Sequence, residues 1–389
     1  MRFHGPSGPF YIRGDRTYST MNLQNTSRRL RIALVPPLWA RVAPGTNGGV
    51  EGIVYLLAEE LVKQGHEVTV FTSSDSPTSS RIKAICSRNM IEAMERGLAW
   101  EYEYYETCNI AEALQQSDSF DVIHFHVGCY AVPLGTFSRV PVLHTFHNPI
   151  TPDAIWLLNR YANAAVTAVS RQQIAEIPEN RRREIRVIYN GCNFESYEFS
   201  ASPGKYLAFL GRISMEKSPL DAIEIAQEAG LPIVIAGQPL DQEERTYFRE
   251  KIEPLIDGEN VIHIGQADHR QKVALLKDAG ALLFPIQWDE PFGVVMIEAM
   301  ACGTPVIAFQ RGSVREVIDF GKTGFYADSK QALISMVPRA LSLDRGIVRD
   351  HARQRFGHVN MVTGYLKAYE SVISEGDDRQ LSFRHARRA

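Results

Sequence analysis

The sequence predicts an α/β protein built from two doubly wound parallel-sheet domains that face each other across a cleft. Three observations predict it. Short β-branched runs alternate with helix-forming segments along most of the 389 residues. The alternation halts in a polar segment, Glu195 to Lys205, which contains Pro203-Gly204, and then restarts. One stretch of the second half reads as a complete crossover unit: a buried strand at Ala281–Ile286, a loop, a helix at Val294–Cys302 and a strand at Val306–Phe309. Gly303 and Pro305 supply the helix stop.

Composition narrows the function classes. Hydrophobic content of 44% and charged content of 22% are ordinary for a soluble globular chain. A formal charge of −3 gives no electrostatic case for nucleic acid or an anionic membrane. The five cysteines (Cys86, Cys108, Cys129, Cys192, Cys302) are scattered and form no C-x-x-C pair. That argues against a disulfide framework or a zinc finger and for a reducing, cytoplasmic location. No apolar run reaches the roughly 18 to 20 residues that span a bilayer. Residues 1–28 are polar, lack a signal-peptide core and read as a disordered extension.

In the first half, Arg31–Val35 is a buried strand that leaves through Pro36-Pro37 into a loop ending at Gly48-Gly49. Apolar residues at Ile53, Leu56, Leu57 and Leu61 then follow a helical period, and Glu67–Phe71 is the next strand. The glycine pair is either a phosphate contact at a helix start or a flexible turn. No G-x-G-x-x-G occurs there, which argues against a nicotinamide-dinucleotide site. Asn89 to Leu114 reads as helical. The strands Phe120–Gly128 and Pro141–Pro149 carry His124, His126, His144 and His147. No acidic or cysteine ligand sits at a matching spacing, so no metal site is expected. His126, nearest the strand end, is read as lining the cleft, and His124 as a satisfied core residue. Ala165–Val169 and Ile185–Ile188 complete the strands of this half.

The second half opens with the strand Tyr206–Leu210 and the loop Gly211-Arg212 to Lys217. Strands at Ile233–Ala236 and Val261–Ile264 follow, separated by helical segments. In the crossover unit, the loop Glu290-Pro-Phe-Gly293 lies at the carboxyl end of its strand, where such sheets bind ligands. Phe292, Gly293, Val294 and Val295 offer backbone N–H groups at the helix start. Glu298 lies about one turn inside the helix. Local evidence leaves two readings of these glutamates, ligands for a sugar nucleotide or an ordinary capped helix with an exposed carboxylate. Trp288 either stacks on a sugar or packs. Gln331 onward reads as helix to the chain end.

Together these stretches resemble the retaining glycosyltransferases of family 4 (group 1), over about residues 30 to 370. The carriers are Gly48-Gly49, the strand Asp121-Val-Ile-His-Phe-His126, Tyr189-Asn190-Gly191, Gly211-Arg212 with Lys217, and Ala236-Gly237. Most specific is Glu290-Pro-Phe-Gly-Val-Val-Met-Ile-Glu298 followed by Ala-Met-Ala-Cys-Gly-Thr-Pro. The resemblance implies the GT-B fold. It implies an acceptor-side domain over residues 29–200, a nucleotide-sugar domain over 201–349 and a helix at about 350–375 packing back on the first domain; residues 376–389 are polar and read as a flexible tail.

The resemblance also implies an activity, transfer of a hexose or N-acetylhexosamine from a UDP- or GDP-linked donor to a hydroxyl acceptor. No cofactor and no metal are implied, and no D-x-D motif occurs. Arg212 and Lys217 match the cations that grip the diphosphate, Glu290 the group near the donor sugar's reacting carbon, and His126 a histidine reaching that sugar. Gly48, Gly49, Gly211, Gly237, Phe292, Gly293, Val294, Val295 and Glu298 match donor-binding positions, with Glu298 on the ribose. Competing expectations are a nucleotide-sugar epimerase of the same fold and a non-catalytic nucleotide-sugar-binding protein. Neither nucleic acid nor a transmembrane segment is expected.

Overall fold

The computed structural model describes residues 28–386 except residues 47 and 203, with side chains described to residue 376. The extension expected over residues 1–28 lies outside the described residues apart from Arg28. The first sheet has seven strands: β1 Arg31–Val35, β2 Glu67–Thr72, β3 Arg81–Ala84, β4 Val122–Phe125, β5 Val142–Phe146, β6 Ala165–Ala168 and β7 Arg186–Val187. The second has six: β8 Leu207–Leu210, β9 Ile233–Ala236, β10 Val261–His263, β11 Ala281–Phe284, β12 Val306–Phe309 and β13 Gly324–Ala327. Strand orders are β3-β2-β1-β4-β5-β6-β7 and β10-β9-β8-β11-β12-β13, and every pairing is parallel.

Side chains alternate across each sheet, so one strand feeds two cores. Ile32 and Leu34 of β1 pack with Ile53, Leu57 and Leu61 of the helix Gly49–Lys63. Ala33 and Val35 face the other way, toward Ile110 and Ala113 of the helix Tyr102–Gln115. In the second domain Leu207 and Phe209 pack on Ala222, Ile223 and Ala226, while Ala208 packs toward Met296 and Met300. With helices on both faces, the strands are apolar throughout rather than alternating, which is why they read as continuous runs.

The chain passes between the domains twice, and the two passages lie side by side. Cys192 N donates to Phe356 O at 2.8 Å, and His358 N donates to Cys192 O at 3.0 Å. Beyond that point the helix His358–Ala386 lies on the first domain, where Met361, Val362, Tyr365, Ala368 and Tyr369 complete the β1 core.

Several sequence expectations need correction. The helix expected from Gln331 to the end is three helices, Lys330–Leu341, Arg345–Phe356 and His358–Ala386. Asp344 caps the second by accepting from Ile347 N at 3.0 Å, and Gly357 ends it. The last helix continues past residue 376, where a flexible tail was expected; residues 387–389 lie outside the described residues. Helix over Asn89–Leu114 is broken at Gly97, whose φ of 66° ends Met90–Glu95. β3 went unforeseen because it is an edge strand with no buried face.

Candidate active site

In doubly wound sheets, ligands bind outside the carboxyl ends of the strands, where strand order reverses. Here the order reverses between β1 and β4 and between β8 and β11. The loops leaving those strands border a cavity of about 530 Å³ between the domains. The first domain contributes the loop after β1 and the start of helix Gly49–Lys63; the linker contributes Gly191, Cys192, Asn193, Ser196 and Tyr197. The walls meet where Gly45 lies against the His269 side chain, so close that a Cβ on Gly45 would sit 2.3 Å from the His269 Cβ.

Of the residues singled out from the sequence, Gly48, Gly49, Gly211, Arg212, Gly237, Val294, Val295 and Glu298 line this cavity. Gly237 is needed for a close approach: its φ is 143°, and a Cβ there would lie 1.8 Å from Gly211 O. The N–H groups of these two glycines are already engaged, with Ala236 O and Gly265 O. Gly293, at φ 74°, precedes the helix Val294–Ala301, whose first N–H groups have no partner within the helix. Phe292 is buried, packed beside Tyr189 and Phe356.

Arg212 is held by two carboxylates, Glu216 at its terminal nitrogen and Glu244 at Nε, 3.1 Å away. Glu244 is fixed in turn by Leu240 N at 2.7 Å. Lys217 is ion-paired with Glu290 and lies 4.8 Å from the centre of the Trp288 ring. Trp288 donates its indole N–H to Glu290 Oε2 at 3.0 Å, so this aromatic positions the carboxylate and packs. Lys217, Glu290, Phe292 and Gly293 stand beside the cavity, not on its wall. Ser218, next to Lys217, has φ 52°, the one non-glycine positive φ among the described residues. Backbone strain of this kind collects at functional loops.

His126 is not brought into the cavity, contrary to the sequence expectation. Its N–H continues the sheet to Val35 O at 2.9 Å. Its ring is 2% exposed and bonded at both nitrogens, to His147 Nε2 at 3.0 Å and His124 Nδ1 at 3.1 Å. His124 is a satisfied core residue, reaching Thr145 Oγ1 at 2.7 Å and Tyr369 Oη at 2.8 Å. Burial holds the whole group neutral, pushing His147 down to about 4, His144 down to about 3, and His124 and His126 well below the usual range. Among the described residues, no cluster of three or more His, Cys, Asp or Glu side chains is arranged to hold a metal ion. No helix among them is long and apolar enough to cross a membrane.

Three contributors escaped sequence reasoning. Lys272 and Tyr197 line the cavity and both bond Glu298, at 2.5 and 2.7 Å. Neither sits in a recognisable motif. Glu51, 3% exposed, accepts from Ala40 N at 3.0 Å under the loop after β1, and burial pushes its carboxyl up to about 7. The space beside Gly48 is what admits it, because a Cβ there would lie 2.2 Å from Glu51 Oε2.

Comparison with known proteins agrees with this architecture. Residues 47–196 match the family model described as Glycosyltransferase Family 4, and residues 196–356 match Glycosyl transferases group 1. The D-inositol 3-phosphate glycosyltransferase of Mycolicibacterium smegmatis is 26% identical, the match covering 90% of this chain and 92% of that one. An uncharacterized glycosyltransferase of Methanocaldococcus jannaschii is 27% identical over 80% of this chain and 89% of its own. Anabaena HepE, solved in complex with UDP and glucose, superposes with a TM-score of 0.66 at 19% identity, covering 88% of this chain and all of that one (100%). The two matched segments meet at the linker and take in β2 to β7 of the first sheet and all six strands of the second. The protein is a glycosyltransferase of GT-B fold and belongs to the group 1, family 4 glycosyltransferases.

Proposed function

We propose that the protein transfers a glucose-, mannose- or N-acetylglucosamine-type sugar from a UDP- or GDP-linked donor to a hydroxyl acceptor, with retention and without a metal ion. The observation that carries this reading is that the second domain brings Arg212, the helix start at Val294 and Val295, and Glu298 one helical turn on to the wall of one cavity. A forked cation and a helix start suit a diphosphate, and a carboxylate suits ribose hydroxyls. HepE was solved with UDP and glucose, which agrees with such a donor. The M. smegmatis relative is named for an inositol phosphate acceptor, a polyol, which agrees with a hydroxyl nucleophile.

The chemistry is a substitution at the anomeric carbon. The bond to the diphosphate oxygen breaks with its electron pair leaving on the phosphate, and Arg212 and Lys217 stabilise that charge. To reach the diphosphate, Lys217 turns from Glu290, which then receives the donor sugar's hydroxyls. The acceptor oxygen bonds to the same face of the sugar, and its proton passes to the departing phosphate. We assign His126 no direct contact with the sugar, because both of its ring nitrogens are bonded to other histidines.

Thermal melting with UDP, GDP and ADP identifies the base. Turnover of the matching sugar nucleotides with and without EDTA, read by NMR of the anomeric proton, tests the rest. An inverted product, or turnover abolished by EDTA and restored by a divalent cation, overturns the corresponding part of the proposal.

A further inference from the structure

Glu298 is held asymmetrically. Tyr197 Oη and Lys272 Nζ both donate to its Oε1, at 2.7 and 2.5 Å. No group among the described residues donates to Oε2. The two donors come from different parts of the fold. Lys272 projects from the helix His269–Asp278, which opens with a capping box at Asp268 and Gln271. Tyr197 belongs to the linker, where Arg349 anchors it by donating to Tyr197 O at 2.9 Å and Phe194 O at 2.7 Å. The His269 ring meets the Tyr197 ring edge-on at 5.2 Å.

This pair differs from the ion pairs that decorate the surface. The Lys272 and Glu298 side chains are 14% and 13% exposed, against 27% and 72% for Lys277 and Glu198 nearby. A carboxylate on the wall of a diphosphate site repels its ligand unless a cation neutralises it. Two donors on one oxygen also fix the side-chain rotamer, so the remaining lone pairs point one way. Burial and the Glu298 charge keep the Tyr197 phenol protonated, hence a donor.

We propose that Lys272 and Tyr197 are positioning residues that occupy Oε1 of Glu298 and so present Oε2 to a ribose hydroxyl, making the site select ribonucleotide over deoxyribonucleotide donors. This rests on the reading of Glu298 as the ribose contact. Neither residue needs to touch the donor. Their effect is on which nucleotide is held, and the chemical step is untouched.

The test is to titrate the wild type, Glu298→Ala, Lys272→Met, Lys272→Arg and Tyr197→Phe with UDP and with 2′-deoxy-UDP and 3′-deoxy-UDP. GDP and its deoxy forms replace these if GDP gives the larger melting shift. The wild type is expected to prefer the ribonucleotide over at least one deoxy form by about tenfold or more, as for a hydrogen bond to a charged group. Lys272→Met should bring that ratio close to one by weakening UDP more than the deoxy form, and Lys272→Arg should restore it. Tyr197→Phe, which removes one hydroxyl and little packing, should move the ratio the same way by a smaller factor. If Glu298→Ala lowers the ratio while both Lys272→Met and Tyr197→Phe keep it, the positioning role is overturned. If Glu298→Ala keeps the wild-type ratio, the ribose assignment itself fails, and the proposal with it.

Discussion

Lys217 and Glu290, 73 residues apart in the chain, meet as an ion pair at the mouths of two neighbouring loops, those after β8 and β11. The pair keeps a cation and a carboxylate ready at one point, each able to take a ligand group of opposite character. Replacing Lys217 or Arg212 with Ala should lower kcat by about 10²–10³ under saturating donor, the scale for losing one preorganised stabiliser of developing charge. Unchanged kcat in both single variants removes the diphosphate assignment.

Glu51 makes stability depend on pH. Its folded carboxyl is raised to about 7 from an ordinary 4.5, with burial as the main cause. A raised carboxyl favours the protonated folded state, so its contribution is complete below about pH 4.5 and falls as pH rises toward 7. The span corresponds to about 3 kcal/mol. Glu51→Gln keeps an acceptor for Ala40 N and cannot ionise. Melting at about pH 5 should barely separate it from wild type, and melting at about pH 8 should show the variant as the more stable.

Gly237 tolerates no side chain. The clash would be with the Gly211 carbonyl, which is backbone and cannot rotate away, and φ there disfavours other residues. Gly237→Ala should cost about 1 kcal/mol or more in unfolding titrations and raise KM for the donor, since the loop that carries Arg212 must shift.

Glu95 is the carboxylate that the first domain places on the cavity wall, and it is exposed at the rim. A double displacement needs a carboxylate nucleophile on that side; same-face substitution does not. Glu95→Gln should therefore keep kcat within a few-fold of wild type. A loss of a thousandfold, with a trapped sugar adduct in mass spectrometry, would instead identify a covalent intermediate.

Legibility in the sequence followed burial. Strands such as Leu207–Leu210 and Ala281–Phe284 are apolar on both sides and announced themselves. Arg81–Ala84, an edge strand with two charged residues and no buried face, did not. Glu290 and Glu298 were readable because a single loop and helix carry both. The partners of Glu298 were not, since Lys272 lies 26 residues away and Tyr197 101. His126 shows the opposite failure. Its place at a strand end pointed to the cleft, but alternation also put it on the same face as His124, within a cluster that satisfies its own nitrogens.

The last helix sets an order of maturation. Once the first 200 residues have left the ribosome, all seven strands of the first sheet exist, yet the space for Tyr365 and Tyr369 is empty and His124 lacks the phenol that bonds its Nδ1. The second domain finds every strand of its own sheet between residues 207 and 327. The half of the protein made first is thus finished last, and a nascent chain carries an open apolar seam until its final helix arrives.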